Sequence, residues 1–366
     1  MWQEYNEMIY GNLEFHNTAE LEETTGTPGL TIQRFPRAVR NHLGKDGHQR
    51  GRYVSQASTG CEIRFITESE FIRITLSATI EDGDVIVYNG DFFHSFHRLQ
   101  VGQLHTLHLD RPSGFDNVEA SMLYQGARFS PNVWRIMISR NYYPGLAFQV
   151  CFHKLETFGH SVRPPLAEEL PARKLLAYGS SITHGSGATV QHLAYIQQTG
   201  RRLGMDVMNK GMGGSCFCER EIADYLMEHG QWNAAILELG VNMRGIFTAE
   251  EFERRARYLI EGMLTACPGK PVVLINILPN SANALRNPSA EMARINADFI
   301  SKLQQLHRSI SSPDLHLIDG HDLLTEFCTL ANDLIHPSDF GHTMMGQHLS
   351  EKLRAILDPS PAGVLL

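Results

Sequence analysis

The second half of the chain changes rhythm in a way that few architectures tolerate. Five short apolar runs, "KLLAY", "MDVMNKG", "AAILELG", "PVVLINIL" and "LHLID", alternate with longer stretches of helical period. Apolar runs without polar alternation read as strands buried on both faces, the condition of a parallel sheet. Between two of them, "TAEEFERRARYLIEGMLTAC" puts Thr248 and Glu251 in capping-box spacing. It also sets Phe252, Ala256, Leu259, Ile260 and Met263 on one helical face. "SAEMARINADFISKLQQLHRSI" and "DFGHTMMGQHLSEKLRAIL" share that period. Strict alternation predicts a doubly wound α/β/α sheet of about five parallel strands, whose chemistry collects at the carboxyl ends of the strands.

The first half reads differently. "CEIRFITES", "FIRITLSAT", "DVIVYNGD", "QLHTLHLD", "WRIMISR" and "LAFQVCFHKL" are short and separated by turn-formers such as "EDGD" and "RPSGFDN". Short strands at regular spacing suggest an antiparallel β-sandwich. Pro164, Pro165 and Pro171 then interrupt any helix or strand. The expected organisation is a sandwich over 1–161, a Pro-rich linker over 162–173, an α/β domain over 174–358 and a loose tail over 359–366. A chain of 366 residues also exceeds what one core usually serves.

Composition excludes several functional classes. A net charge of -8 without a dense Lys/Arg stripe argues against nucleic acid and anionic membranes as partners. "MWQEYNEMIYGNLEF" lacks the basic start and apolar core of a secretory signal, and no apolar stretch approaches the ~20 residues of a membrane span. The expectation is a cytoplasmic protein. Its six cysteines show no metal-ligand spacing and read as free thiols. No H-E-x-x-H pattern occurs among the 18 histidines, and "HSFH" at His94 to His97 lies in a strand region where alternate residues face opposite ways. "GSSITHGSG" lacks the Gly-Lys-Ser/Thr ending of a phosphate loop. Neither metal nor cofactor is expected.

The loops after the strands hold the chemistry. Gly179-Ser180-Ser181-Ile182-Thr183 follows the first strand, Asn209 to Gly214 the second and Gly240-Val241-Asn242 the third; "NDLIHPSDFGH" follows the last. Acyl transfer needs a hydroxyl nucleophile, a base, a group that orients the base, and donors for the oxyanion. Ser181, His336 and Asp333 fit the first three roles. The backbone N–H groups of Ser181 and Gly214 and the side-chain amide of Asn242 fit the fourth.

These four blocks resemble those of the SGNH hydrolases, the GDSL esterase and lipase family, with Ser181, Gly214, Asn242 and His336 in the name-giving positions and Asp333 in the D-x-x-H position. The resemblance covers roughly Lys174 to Leu357. It implies a flavodoxin-like α/β/α fold and metal-free ester hydrolysis through an acyl-enzyme. A β-sandwich ahead of the catalytic domain is similar to the arrangement of some carbohydrate acetyl esterases of the family, and of some acyltransferase relatives. The chain departs from the family pattern twice: Ser180 stands where Asp is usual, and Met243 where Asp usually follows the Asn.

Each assignment has a rival. Ser181 could cap the helix that follows, Asp339 could replace Asp333, and Gly213 or Gly211 could supply the amide. His184 competes with His336 as base but should point along the starting helix. Cys216 and Cys218 lack the histidine pairing of a nucleophilic thiol. Arg244 could contact an anionic substrate group, although a solvated arginine is the default. The expected partner is a small-molecule acyl ester of short chain, an acetylated sugar or oligosaccharide being one candidate. Two alternatives stand beside the esterase: acyl transfer to another alcohol, and a catalytically decayed carbohydrate-binding protein using Trp134, Tyr142 and Tyr143 as a platform.

Overall fold

The computed structural model describes residues 7–358 apart from 25, 45, 46, 48 and 140–146. Tyr142, Tyr143 and the expected tail over 359–366 lie outside the described residues. Two compact units divide between Ala172 and Arg173.

In the first unit, two antiparallel sheets share one core. One sheet orders Met8–Tyr10, Leu13–His16, Glu62–Thr67, Trp134–Ile138, Gly83–Asn89 and Phe92–Leu99; the other orders Glu20–Thr24, Thr27–Gln33, Val150–Glu156, Phe71–Ala78 and Leu104–Asp110. Phe15, Ile63, Phe65 and Ile136 of the first sheet meet Ile32, Ile74, Leu76 and Phe152 of the second, the face-to-face packing of a sandwich. Val162–Arg163, within the expected linker, instead pairs with Glu62–Thr67. Trp134 is only 2% exposed and belongs to this core, so it offers no platform for a sugar. The other side of the Glu62–Thr67 strand is buried as well. Glu62 and Arg64 lie there, with Arg135 bonding Glu62 at 2.6 Å and Arg64 bonding it at 2.7 Å. A bulge at His94 in Phe92–Leu99 breaks the expected alternation, so that His94 and His97 both reach Ser95 Oγ, at 2.7 and 2.8 Å.

The second unit is a parallel sheet of β1 (Arg173–Tyr178), β2 (Met205–Asn209), β3 (Ala234–Glu238), β4 (Val272–Ile275) and β5 (Leu315–Ile318). Their spatial order, β2-β1-β3-β4-β5, is that of a flavodoxin-like sheet. Its helices include α1 (Ser181–His184), α2 (Tyr195–Leu203), α3 (Arg220–Glu228), α4 (Ala249–Ala266), α5 (Glu291–Ser309) and α6 (Asp339–Leu357), with a single turn over Gly320–Leu323 before α6. Leu175, Ala177, Ile236 and Val273 pack against Ile196 and Leu203 of α2 and Met345, Leu349 and Leu353 of α6. On α4, Thr248 Oγ1 accepts the Glu251 N–H as a cap, and the five apolar residues of its stripe are all buried. Phe252 of α4 stacks on Phe299 of α5, with ring centroids 4.9 Å apart.

Register fixes where the chemistry stands. Tyr178 pairs with Leu237 and Ala177 with Asn209, so the loops after β1, β2 and β3 leave the sheet at one edge. Among the described residues, no helix is long and apolar enough to cross a membrane.

Candidate active site

The turn after β1 is closed so tightly that only glycine fits at its first position. A Cβ on Gly179 would lie 2.3 Å from Thr183 Oγ1 and 2.9 Å from the Glu238 side chain. Ser180 follows with extended backbone and caps α1, its Oγ accepting the Ile182 N–H at 3.1 Å. The capping role therefore falls to Ser180 and not to Ser181. Ser181, the first residue of α1, is 8% exposed, and its Oγ lies 2.8 Å from His336 Nε2.

The base comes from the loop before α6. Asp333 Oδ1 accepts the backbone N–H groups of Ile335 and His336, each at 3.0 Å, and Oδ2 lies 2.7 Å from His336 Nδ1. That pairing puts the imidazole proton on Nδ1 and leaves Nε2 to accept from Ser181. Burial pushes the Asp333 carboxyl up, but hydrogen bonds from His336 and Ile335 outweigh it and hold the group below its ordinary value. Asp339, the rival carboxylate, is engaged elsewhere: it accepts the Thr189 N–H at 2.8 Å and its hydroxyl at 2.9 Å.

Close approach holds the two loops together. A Cβ on Gly187, whose φ is +95°, would stand 2.0 Å from the Pro337 carbonyl oxygen. Nearby, buried His342 of α6 accepts the Tyr195 N–H on Nδ1 at 3.1 Å and donates from Nε2 to the Ser186 carbonyl at 3.0 Å.

The three expected donors remain available for an oxyanion, and so does the Gly213 N–H, which likewise has no acceptor among the described residues. Gly211 donates its N–H to Asn209 Oδ1 at 2.9 Å and so is not among them. Gly214, half-exposed and at a φ of +67°, has no hydrogen bond to its N–H among the described residues. Asn242 Oδ1 accepts the Cys216 N–H at 3.1 Å, which orients the side chain and turns its NH2 end the other way. The Ser181 N–H, at the start of α1, has no carbonyl partner either.

Beneath the turn lies a group the motifs do not reveal. Glu238, the last residue of β3, accepts on Oε2 the Ser180 N–H at 2.8 Å, the Ser180 hydroxyl at 2.6 Å and the Thr183 hydroxyl at 3.1 Å. Burial raises its carboxyl from 4.5 to about 7, against the opposing pull of those donors. Among the described residues Oε1 has no partner, which makes it the oxygen that carries the proton in the neutral form. The signal in the sequence was one acidic residue inside the apolar "AAILELG". Asn209 is a second such residue: its Nδ2 donates to the Thr183 carbonyl at 2.8 Å and ties β2 to α1.

The remaining candidates separate cleanly. His184 is buried, its backbone so close to Gly211 that a Cβ there would lie 2.4 Å from its nitrogen. Cys216 and Cys218 are buried, and burial raises the Cys216 thiol well above its ordinary value, so it is no thiolate nucleophile. Met243 is fully buried and replaces the usual Asp with packing. Arg244 is not solvated as expected: its Nη1 donates to Asn280 Oδ1 at 2.8 Å and to Asn296 Oδ1.

Comparison with known proteins bears on the fold and the family. No curated protein sequence matches the chain. Among solved structures, a salicylyl-acyltransferase from a tetracycline biosynthetic pathway superposes with a TM-score of 0.75 at 14% identity, over 95% of this chain and 96% of that one. A protein described as a GDSL-like lipase from Bacteroides ovatus gives 0.67 at 18% identity, over 94% and 96%. A family two carbohydrate esterase from Cellvibrio japonicus gives 0.61 at 15%, over 95% and 96%. Likeness at such identities shows the fold alone. The family model for GDSL-like lipases and acylhydrolases matches residues 172–354, half of the chain and the whole span from β1 into α6. With all four blocks at one sheet edge, the chain belongs to the GDSL-like lipase/acylhydrolase family.

Proposed function

We propose that the protein is a serine esterase that cleaves short-chain acyl esters through an acyl-enzyme on Ser181. The observation that carries this reading is the unbroken relay from Ser181 Oγ to His336 Nε2 and from His336 Nδ1 to Asp333 Oδ2, at 2.8 and 2.7 Å. Ser181 Oγ attacks the ester carbonyl carbon while its proton passes to His336 Nε2. Asp333 stabilises the imidazolium that results. The carbonyl oxygen, now an anion, is met by the N–H groups of Ser181 and Gly214 and by Asn242 Nδ2. Collapse of the tetrahedral adduct breaks the bond to the alcohol oxygen, which takes the proton from His336. Water then attacks the acyl-enzyme with His336 as base, releasing the acid and restoring Ser181.

The carbohydrate esterase among the structural neighbours supports an acetylated sugar or oligosaccharide as substrate. The acyltransferase neighbour supports a second reading, in which an acceptor alcohol takes the place of water. Product analysis with and without candidate acceptor alcohols separates the two. A decayed carbohydrate-binding protein would have no need of the intact relay. The test is hydrolysis of p-nitrophenyl acetate by wild type and Ser181→Ala: a loss on the order of 1,000-fold or more is expected, and a variant as fast as wild type overturns the assignment.

A further inference from the structure

Arg244 stands two residues beyond Asn242, in the loop that leaves β3. Its guanidinium is half-buried, and Nη1 spends both of its protons on the buried amide oxygens of Asn280 and Asn296. Those partners are neutral. Among the described residues no carboxylate pairs with Arg244, and burial lowers its basicity. What remains is the Nε and Nη2 edge of the guanidinium. Two parallel N–H groups on that edge match the two oxygens of a carboxylate.

Hydrogen bonds tie the loop that carries Arg244 to the loop of the base. Asn280 receives Arg244, and the next residue, Ser281, donates its N–H to the Leu334 carbonyl at 2.7 Å. Leu334 lies between Asp333 and His336. Arg244 is thus braced between the loop of Asn242 and the loop of the base. A half-buried cation without a counter-ion is costly to keep.

We infer that Arg244 is a specificity residue that binds a carboxylate carried by the ester substrate. This inference rests on Ser181 being the nucleophile. Bound substrate would supply the missing counter-ion, and the pairing would strengthen as water leaves the site.

The test uses two matched pairs of esters on the full chain. On the alcohol side, 4-acetoxybenzoate is compared with its methyl ester; on the acyl side, mono-4-nitrophenyl adipate is compared with 4-nitrophenyl hexanoate. For wild type, kcat/KM should favour the carboxylate in one of the pairs by tenfold or more, and rising salt should shrink that ratio. Arg244→Gln should reduce the ratio about tenfold, while Arg244→Lys, which keeps the charge but loses the fork, should reduce it by less. The pair that responds shows which side of the ester carries the charge. A wild type with no preference in either pair overturns the inference, as does an unchanged ratio in Arg244→Gln. Ser181→Ala, run on the same esters, isolates the underlying reading: full activity there would remove the nucleophile whatever the ratios.

Discussion

Ser180 donates its hydroxyl to Glu238 Oε2 at 2.6 Å while accepting the Ile182 N–H on the same oxygen at 3.1 Å. One small side chain thus links the turn that carries Ser181 to the end of the adjacent strand. A carboxylate still supports the nucleophile, but it reaches the turn from β3.

Removing that support should be costly. Glu238→Ala leaves three buried donors without an acceptor, and a loss on the order of 3 kcal/mol of folding stability is expected. Urea unfolding measures it. Glu238→Gln keeps an acceptor oxygen and should lose clearly less.

The same group gives stability a pH dependence. Its carboxyl titrates near 7 when folded, above the 4.5 of an ordinary Glu, so the folded state holds the proton more tightly. The stabilisation from the neutral acid is complete below about 4.5 and is lost as pH rises through about 7. Thermal unfolding across that window should show a decline in wild type that is absent from Glu238→Gln.

Restoring the family's Asp alone should fail. Ser180→Asp would set a second carboxyl group against Glu238, and two carboxyls in one buried site cannot both ionise. The single variant should unfold more easily, and the added change Glu238→Gln should recover part of the loss. Additive effects in the double-mutant cycle would argue against direct coupling.

The relay and the oxyanion donors should separate kinetically. Asp333→Asn should lower kcat on the order of 10,000-fold through the wrong imidazole tautomer. Asn242→Ala should lower kcat about 100-fold with little effect on KM. Steady-state rates on p-nitrophenyl acetate report both.

Gly187→Ala tests the contact between loops. The new Cβ would overlap the Pro337 carbonyl and strain a residue at a φ of +95°. The expected outcome is a fall in kcat beyond tenfold and a stability loss of more than about 1 kcal/mol. Unchanged kinetics would mean that the His336 loop moves freely of the nucleophile loop.

The sheet and its helices were legible because each rests on local pattern, and the loops of Ser181 and of Asp333 and His336 stood out as short motifs although the contact between them spans 155 residues. Thr248 caps its helix as its spacing predicts, and Ser181, Asp333 and His336 meet as their loops suggest. Long-range pairing of polar side chains left no such trace. Glu62, Arg64 and Arg135 interrupt the hydropathy of strands that are nevertheless buried, because they pair with one another and with Glu14 and Asp91. Glu238 is invisible for the same reason, its partners lying 58 and 55 residues earlier in the chain. Arg244 looked solvated because Asn280 and Asn296, the residues that hold it, are far away in sequence.

The contact of Gly187 with Pro337 also bears on how the protein comes apart. The same stretch is stapled to the start of α6 through His342 on Ser186 and Asp339 on Thr189. Nucleophile and base therefore sit within one cooperative unit of local unfolding. Amide exchange over 181–189 and 333–342 should proceed through a common opening. Heat or denaturant would then take both groups together, and no partly opened form would retain an armed serine without its histidine.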